Sequence, residues 1–101
     1  MKKQGTRPTF QGQPSIKQVG DKIVFEIILI ADPAPEITWY HGDDLINSDN
    51  RHNMLMSNDG TTYTIIMELS DLEPDDGGKY KVVTKNTAGE ATANLNLNVP
   101  G

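Results

Sequence analysis

The sequence predicts an all-β fold, either a sandwich of two stacked antiparallel sheets or a barrel. Short segments in which apolar and polar residues alternate recur along the 101-residue chain. Clusters of Gly, Pro, Asp and Asn punctuate these segments, and no segment has a sustained helical period with caps. Because each predicted strand has one apolar face, two sheets that stack face to face are favoured.

The first four predicted strands span residues 8–11, 15–19, 22–31 and 36–41. Turn residues separate them, with Gly20-Asp21 before the third strand and Asp32-Pro33-Ala34-Pro35 before the fourth. The third strand alternates clearly, because its odd-numbered positions are apolar and share one face: Ile23, Phe25, Ile27 and Leu29.

The other predicted strands span 44–46, 53–57, 62–70, 79–86 and 90–99. The last one alternates almost perfectly, with small or apolar residues on one face and Thr or Asn on the other. Asparagine is a poor strand former, so the alternation and not the propensity predicts this strand.

Composition restricts the classes of function. A net charge of −5 and an estimated pI of 4.8 weigh against nucleic-acid binding, which needs clustered Lys and Arg. The chain has no cysteine, so it has neither disulfides nor cysteine-ligated zinc, and it has no N-glycosylation sequon. Both absences fit a cytoplasmic protein. No apolar stretch is long enough to span a membrane, so no membrane partner is expected.

Four motifs carry a family resemblance. In chain order they are Gly20-Asp21 with Phe25-Glu26-Ile27, Asp32-Pro33-Ala34-Pro35-Glu36-Ile37-Thr38-Trp39, Asp76-Gly77-Gly78-Lys79-Tyr80-Lys81-Val82, and Asn86-Thr87-Ala88-Gly89. Together they resemble the intermediate-set immunoglobulin domains, especially those of the giant muscle proteins titin, twitchin and projectin. The resemblance implies an immunoglobulin-like Greek-key sandwich over residues 8–99. Residues 1–7 are then expected to be linker or residues added for expression, and residues 100–101 linker.

The resemblance also implies structural roles for particular residues. The two cysteines that bridge the sheets in this family fall at Ile27 and Val82, an aliphatic pair that suits a reducing cytosol. Trp39 and Tyr80 correspond to the core tryptophan and the tyrosine-corner residue. The implied core is Ile27, Trp39, Leu72, Tyr80 and Val82, and the implied ion pair joins Arg51 to Asp76.

No catalytic, cofactor-binding or metal site is predicted. His41 lies beside Gly42 at a predicted turn, and His52 lies in a polar segment, so both are interpreted as exposed residues. The acidic pairs 43–44 and 75–76 are interpreted as solvated turns, with weak calcium binding as the alternative. A nucleotide-binding loop at 75–86 is excluded, because Lys79 is followed by Tyr80 and not by a hydroxyl residue of the required motif.

Two outer faces are candidate partner surfaces. On one, Val24, Ile28, Ile30 and Ile66 are predicted to point outward, either as cross-strand packing or as a docking patch. On the opposite sheet, Lys79, Lys81 and Lys85 are predicted to form a basic stripe, either solvated or facing an acidic partner.

The expected function is that of a non-enzymatic structural and interaction module in a cytoplasmic sarcomeric muscle protein. It would bear load and space neighbouring immunoglobulin or fibronectin-type domains of the same chain, with sarcomeric filament proteins as further partners. The alternative is an actin- or filament-binding adaptor that uses Lys17, Lys79, Lys81 and Lys85 on one face.

Overall fold

The computed structural model describes residues 5–99, which contain nine strands and one short 3₁₀ helix. The 3₁₀ helix covers Pro74–Asp76. The strands are β1 (Thr6–Phe10), β2 (Ser15–Val19), β3 (Lys22–Asp32), β4 (Glu36–His41), β5 (Asp44–Ile46), β6 (His52–Asp59), β7 (Thr62–Leu69), β8 (Gly78–Asn86) and β9 (Gly89–Leu97).

The strands form two antiparallel sheets. The five-stranded sheet has the order β1-β3-β7-β6, with β2 also paired to β3, and the four-stranded sheet has the order β5-β4-β8-β9. The chain crosses between the sheets after β3, β5 and β7, as in a Greek key. The predicted two-sheet antiparallel sandwich is therefore confirmed, and the barrel alternative is wrong.

Two strands extend beyond their predicted ends because residues there pair with a neighbouring strand. β1 begins at Thr6, two residues before the predicted start, because Thr6 pairs with Asp32. β6 runs on to Asp59, which closes the hairpin with Thr62, whereas the prediction ended at residue 57. The partner strand, and not the apolar content of the segment, sets these ends.

Alternating residues of the central strands fill the core between the sheets. Phe25 lies at its centre, with its ring centroid 6.0 Å from that of Trp39 and 4.7 Å from that of Tyr80. Each fully buried large side chain stabilises the fold by ~1.5–3 kcal/mol. Thr84 is buried as well, and its hydroxyl donates to the carbonyl of Ala91 at 3.0 Å, which satisfies the hydroxyl within the core.

Asn86 ties together the end of the sandwich at which the described chain begins, which we call the N-terminal end. Its Nδ2 donates to the carbonyls of Thr6 (2.8 Å) and Pro33 (3.0 Å). Its Oδ1 accepts from the backbone N–H groups of Ala88 (2.9 Å) and Gly89 (3.1 Å). One neutral side chain thereby links β1, the β3–β4 loop and the β8–β9 turn.

Gly89 is required at the same end. Its φ is +156°, and a Cβ at this position would lie 2.4 Å from Cδ of Arg7. The Arg7 side chain therefore covers the start of β9, and any larger residue at position 89 would displace it.

Candidate interaction surfaces

Tyr80 organises the opposite, C-terminal end of the sandwich. Its ring is buried, and its hydroxyl donates a short hydrogen bond to the carbonyl of Asp76. Burial, followed by the nearby Asp76 carboxylate, raises the pKa of Tyr80 to about 12, because both disfavour the phenolate.

Arg51 and Asp76 form an ion pair beside this tyrosine. Arg51 Nη2 donates to the Asp76 carboxylate and, at 3.2 Å, to the carbonyl of Asp71, while Nε donates to the carbonyl of Ser70 at 3.2 Å. The same Asp76 oxygen accepts from the N–H of Glu73 at 2.7 Å. Burial lowers the pKa of Arg51, but the hydrogen bond and charge of Asp76 outweigh it, so the pKa is raised.

His41 is half-buried, so the prediction that it is exposed at a turn is wrong. Its ring stacks on Tyr80 with centroids 4.4 Å apart and planes 1° from parallel, because the two residues are directly opposite in the β4–β8 ladder. Its Nε2 lies 2.8 Å from the carbonyl of Gly77. A carbonyl only accepts hydrogen bonds, so Nε2 carries the proton and donates.

His52 is also held in place and half-buried, contrary to the expectation of an exposed residue. Its Nδ1 lies 2.8 Å from Asp49 Oδ1, which also accepts from the N–H groups of Arg51 and His52. These hydrogen bonds, that of the His52 side chain first, lower the pKa of Asp49 to about 2. The polar groups here bond to one another, and no group of three or more His, Asp or Glu residues in 5–99 could hold a metal ion.

The predicted lysine surface is divided between the two sheets. Lys79, Lys81 and Lys85 lie along β8 in the four-stranded sheet, whereas Lys17 lies on β2 in the five-stranded sheet. The prediction that all four share one face is therefore wrong, because β2 pairs with β3.

The charge along this stripe is uneven. Lys85 is opposite Glu36 on one side and Glu90 on the other. Lys81 Nζ lies 4.8 Å from the centroid of the Tyr40 ring, a cation–π contact. Positive charge without an acidic neighbour is therefore concentrated in the first half of β8, at Lys79 and Lys81, near the C-terminal end of the sandwich.

Polar residues interrupt the outer apolar residues of the five-stranded sheet. Val24 is opposite Glu68, Ile28 is opposite Thr64, and Ile30 is opposite Thr62. Ile66 lies between Glu26 on β3 and Leu55 on β6, a neighbour that the sequence reasoning did not identify. Of the four predicted positions only Ile28 is exposed, and the other three are half-buried.

The sequence reasoning also missed an apolar groove on the open side of the sandwich, between β6 and β4. Its volume is about 250 Å³. Trp39 lies at its base, 2% exposed, and Met56 at its rim, 52% exposed. The Trp39 indole Nε1 is buried and has no hydrogen-bond partner among the described residues. Apolar and polar residues alternate only weakly in segment 53–57, so the sequence did not predict a groove beside it.

The sequence profile of the family "Immunoglobulin I-set domain" matches residues 8–99. The chain belongs to the immunoglobulin I-set family. The predicted resemblance is thus confirmed. Ile27 on β3 and Val82 on β8, the positions at which the resemblance implies bridging cysteines, are both buried. Val82 lies directly opposite Trp39 in the ladder between β4 and β8.

Individual relatives of this I-set domain include muscle proteins. Human myotilin is 39% identical over 67 residues, which cover 66% of this chain and 13% of myotilin. Drosophila melanogaster titin is 27% identical over 100 residues, which cover 95% of this chain and 1% of titin. The solved titin M4 domain superposes with a TM-score of 0.76 at 25% identity, covering 93% of this chain and 96% of that one. The chain therefore spans a small part of the two curated relatives.

None of the helices in residues 5–99 is long and apolar enough to cross a membrane.

Proposed function

We propose that this I-set domain is a non-enzymatic module of a sarcomeric muscle protein that bears mechanical load and spaces neighbouring domains. Homology to immunoglobulin domains of titin and myotilin supports the muscle setting. A cytoplasmic, myofibrillar location follows from the same proposal, as do immunoglobulin or fibronectin-type neighbours.

The load-bearing role is supported by the directions in which the first and last strands run. β1 starts at the N-terminal end and pairs lengthwise with β3, and β9 finishes at the C-terminal end, where Leu97 pairs with Gly78. Tension between the two ends pulls each terminal strand along its own axis. Antiparallel hydrogen bonds lie perpendicular to the strands, so such a pull loads them together in shear.

The bond network at the N-terminal end supports the same role. Asn86 bonds to the carbonyl of Thr6, and the Arg7 side chain packs over Gly89, so β1 is fastened to the β8–β9 hairpin of the other sheet. A load applied to β1 is thereby shared between both sheets.

Single-molecule pulling in two directions tests this proposal. In the first geometry the domain is pulled between its N- and C-termini. In the second it is pulled between its C-terminus and a cysteine introduced by Asp43→Cys, in the exposed β4–β5 turn at the C-terminal end. The second pull crosses the sheet and loads the β8–β9 pairs one after another. We expect a severalfold higher unfolding force in the first geometry, and equal forces would refute a load-bearing design.

A filament-binding role is the second candidate, and it rests on Lys79 and Lys81. Both face outward from β8 opposite uncharged residues of β9, namely Asn96 and Asn94. Cosedimentation with filamentous actin at low and high salt tests it, with Lys79→Glu/Lys81→Glu as the variant. Lys17→Glu in the other sheet is the control for charge. Binding that is absent, or equally weakened by both changes, would exclude this surface.

A further inference from the structure

From Met54 onward, the free edge of β6 lacks the features that protect the edges of β1, β2 and β5. β6 is eight residues long and pairs regularly with β7, and segment 53–58 contains no charge, Pro or Gly. By contrast, β5 has three residues, β1 contains Pro8 and a register irregularity, and β2 contains Lys17. Proteins normally use such features to prevent an exposed strand edge from pairing with another chain. An edge that lacks them is therefore a site for strand addition.

The backbone of β6 presents hydrogen-bonding groups along this edge. The carbonyl of His52 accepts from the N–H of Asp49 at 3.0 Å, outside the β6–β7 ladder. Backbone groups of successive residues point to opposite edges of a strand, so Met54, Met56 and Asn58 also turn their N–H and C=O groups away from β7. The side chains of Met54 and Met56 line the apolar groove, so one added strand would meet both the backbone edge and the groove.

The apolar groove continues along the side of the sandwich into an acidic region. A second hollow shares Ile37, Trp39 and Met54 with the groove and extends it to β5. A third shares Leu45, Ile46 and Asn47 with the second and ends among carboxylates. We call the three together the side furrow. It is apolar near the N-terminal end and acidic near the C-terminal end.

The exposed carboxylates of the acidic section define the charge of its occupant. Asp44, Glu73 and Asp75 line it and are exposed, whereas Asp49 is bonded to His52 and Asp76 to Arg51. Basic side chains complement this section. A second copy of the chain, with its own net charge of −5, does not.

We propose that the side furrow binds an extended peptide segment of a partner protein, which adds to β6 as an antiparallel strand. Antiparallel pairing is the more stable arrangement. Because β6 runs from the acidic section toward the apolar one, the bound segment runs the opposite way. Its apolar side chains come first, against Trp39 and Met56, and its Lys or Arg side chains follow, against Asp44 and Asp75. Alternate residues face the furrow, since successive side chains of a strand point to opposite faces.

A pair of synthetic peptides tests the proposal with the intact chain. The first is acetyl-Thr-Val-Thr-Val-Thr-Lys-Thr-Lys-amide, and the second has the same residues in reverse order. Trp39 is the sole tryptophan, so its fluorescence reports occupancy of the furrow. Amide chemical shifts of residues 53–58 report strand addition. We expect saturable shifts at β6 with the first peptide, and binding at least about tenfold weaker with the second.

Two protein variants locate the site. Met56→Lys places a charge in the apolar section, at a side chain that is already half exposed, and we expect it to weaken binding about tenfold. Val19→Lys makes the same change at a 61% exposed position on β2, away from the furrow, and should leave binding unchanged.

The proposal is overturned if the first peptide leaves the β6 amides unshifted, or if both variants reduce binding equally. It is also overturned if sedimentation shows a dimer in which the β6 amides are protected, because a second copy then occupies the edge. Equal affinity for the two peptides would overturn the antiparallel direction.

Discussion

The two ends of the sandwich are held together by different chemistry. At the C-terminal end, an ion pair between Arg51 and Asp76 and a buried tyrosine join the residue that precedes β6, the 3₁₀ helix and β8. At the N-terminal end, the neutral amide of Asn86 bonds to Thr6, Pro33, Ala88 and the backbone of Gly89. The C-terminal end contains ionisable groups with shifted pKa values, Asp49 and Tyr80, so its stability depends on pH. The amide of Asn86 does not titrate, so the stability of the N-terminal end depends on the geometry of its hydrogen bonds.

The largest effect is expected from Asp76→Ala. The change leaves the Arg51 guanidinium partly buried without its partner and removes the acceptor for the N–H of Glu73. Breaking a buried pair costs about 3–5 kcal/mol. Because the Arg51 side chain is 27% exposed, we expect a loss of stability at the lower limit, ~3 kcal/mol. Urea unfolding followed by Trp39 fluorescence measures this loss. If Asp76→Ala lost less stability than Asn86→Ala, the N-terminal end would contribute more to stability than the C-terminal end, contrary to this prediction.

Asn86→Ala breaks the neutral end and should destabilise the domain by ~2 kcal/mol, because several half-exposed hydrogen bonds are lost together. Asn86→Asp is the matched control, since its carboxylate keeps the acceptor for Ala88 and Gly89 but loses the donor to Thr6 and Pro33. The aspartate variant should lie between the wild type and alanine in urea unfolding. If it equals alanine, the donor bonds alone hold this end.

Tyr80→Phe removes only the hydroxyl bond to the Asp76 carbonyl and should cost ~1 kcal/mol. The variant also tests the raised pKa. The pKa of about 12 in the folded state lies above the ordinary tyrosine value of 10.0. The neutral phenol therefore stabilises the fold below pH 10, and this contribution is lost as pH rises to 12. The wild type should therefore lose more stability than Tyr80→Phe across that window. Parallel losses would show that Tyr80 does not carry this pH dependence.

The smallest expected effect is the acid response of Asp49. Its pKa of about 2 in the folded state lies below the ordinary aspartate value of 3.8. Its stabilising effect is therefore present above pH 4 and is lost as pH falls toward 2. Asp49→Asn should reduce the slope of stability against pH in that window. Asn86→Ala at the other end should leave the slope unchanged. An unaltered slope in Asp49→Asn would assign the acid response to other carboxylates.

Local pattern predicted most of the inner surface. Ile23, Phe25, Ile27 and Leu29 are all buried, as their alternation on β3 indicated, because a strand buried on one face leaves a period of two in its sequence. β6 was predicted less well. It lies at a sheet edge with half-exposed methionines, so burial imposes a weak pattern on it.

The amino-acid sequence established the strands, the inward faces and the family, because these depend on neighbouring residues and on motifs of fixed spacing. Which strands lie side by side depends on contacts between distant residues, which alternation does not encode. The fold therefore separated Lys17 from the β8 lysines, stacked His41 on Tyr80, and aligned the open edge of β6 with an apolar and acidic furrow. These features arise from pairing and packing across the sandwich, and they became visible once both sheets were assembled.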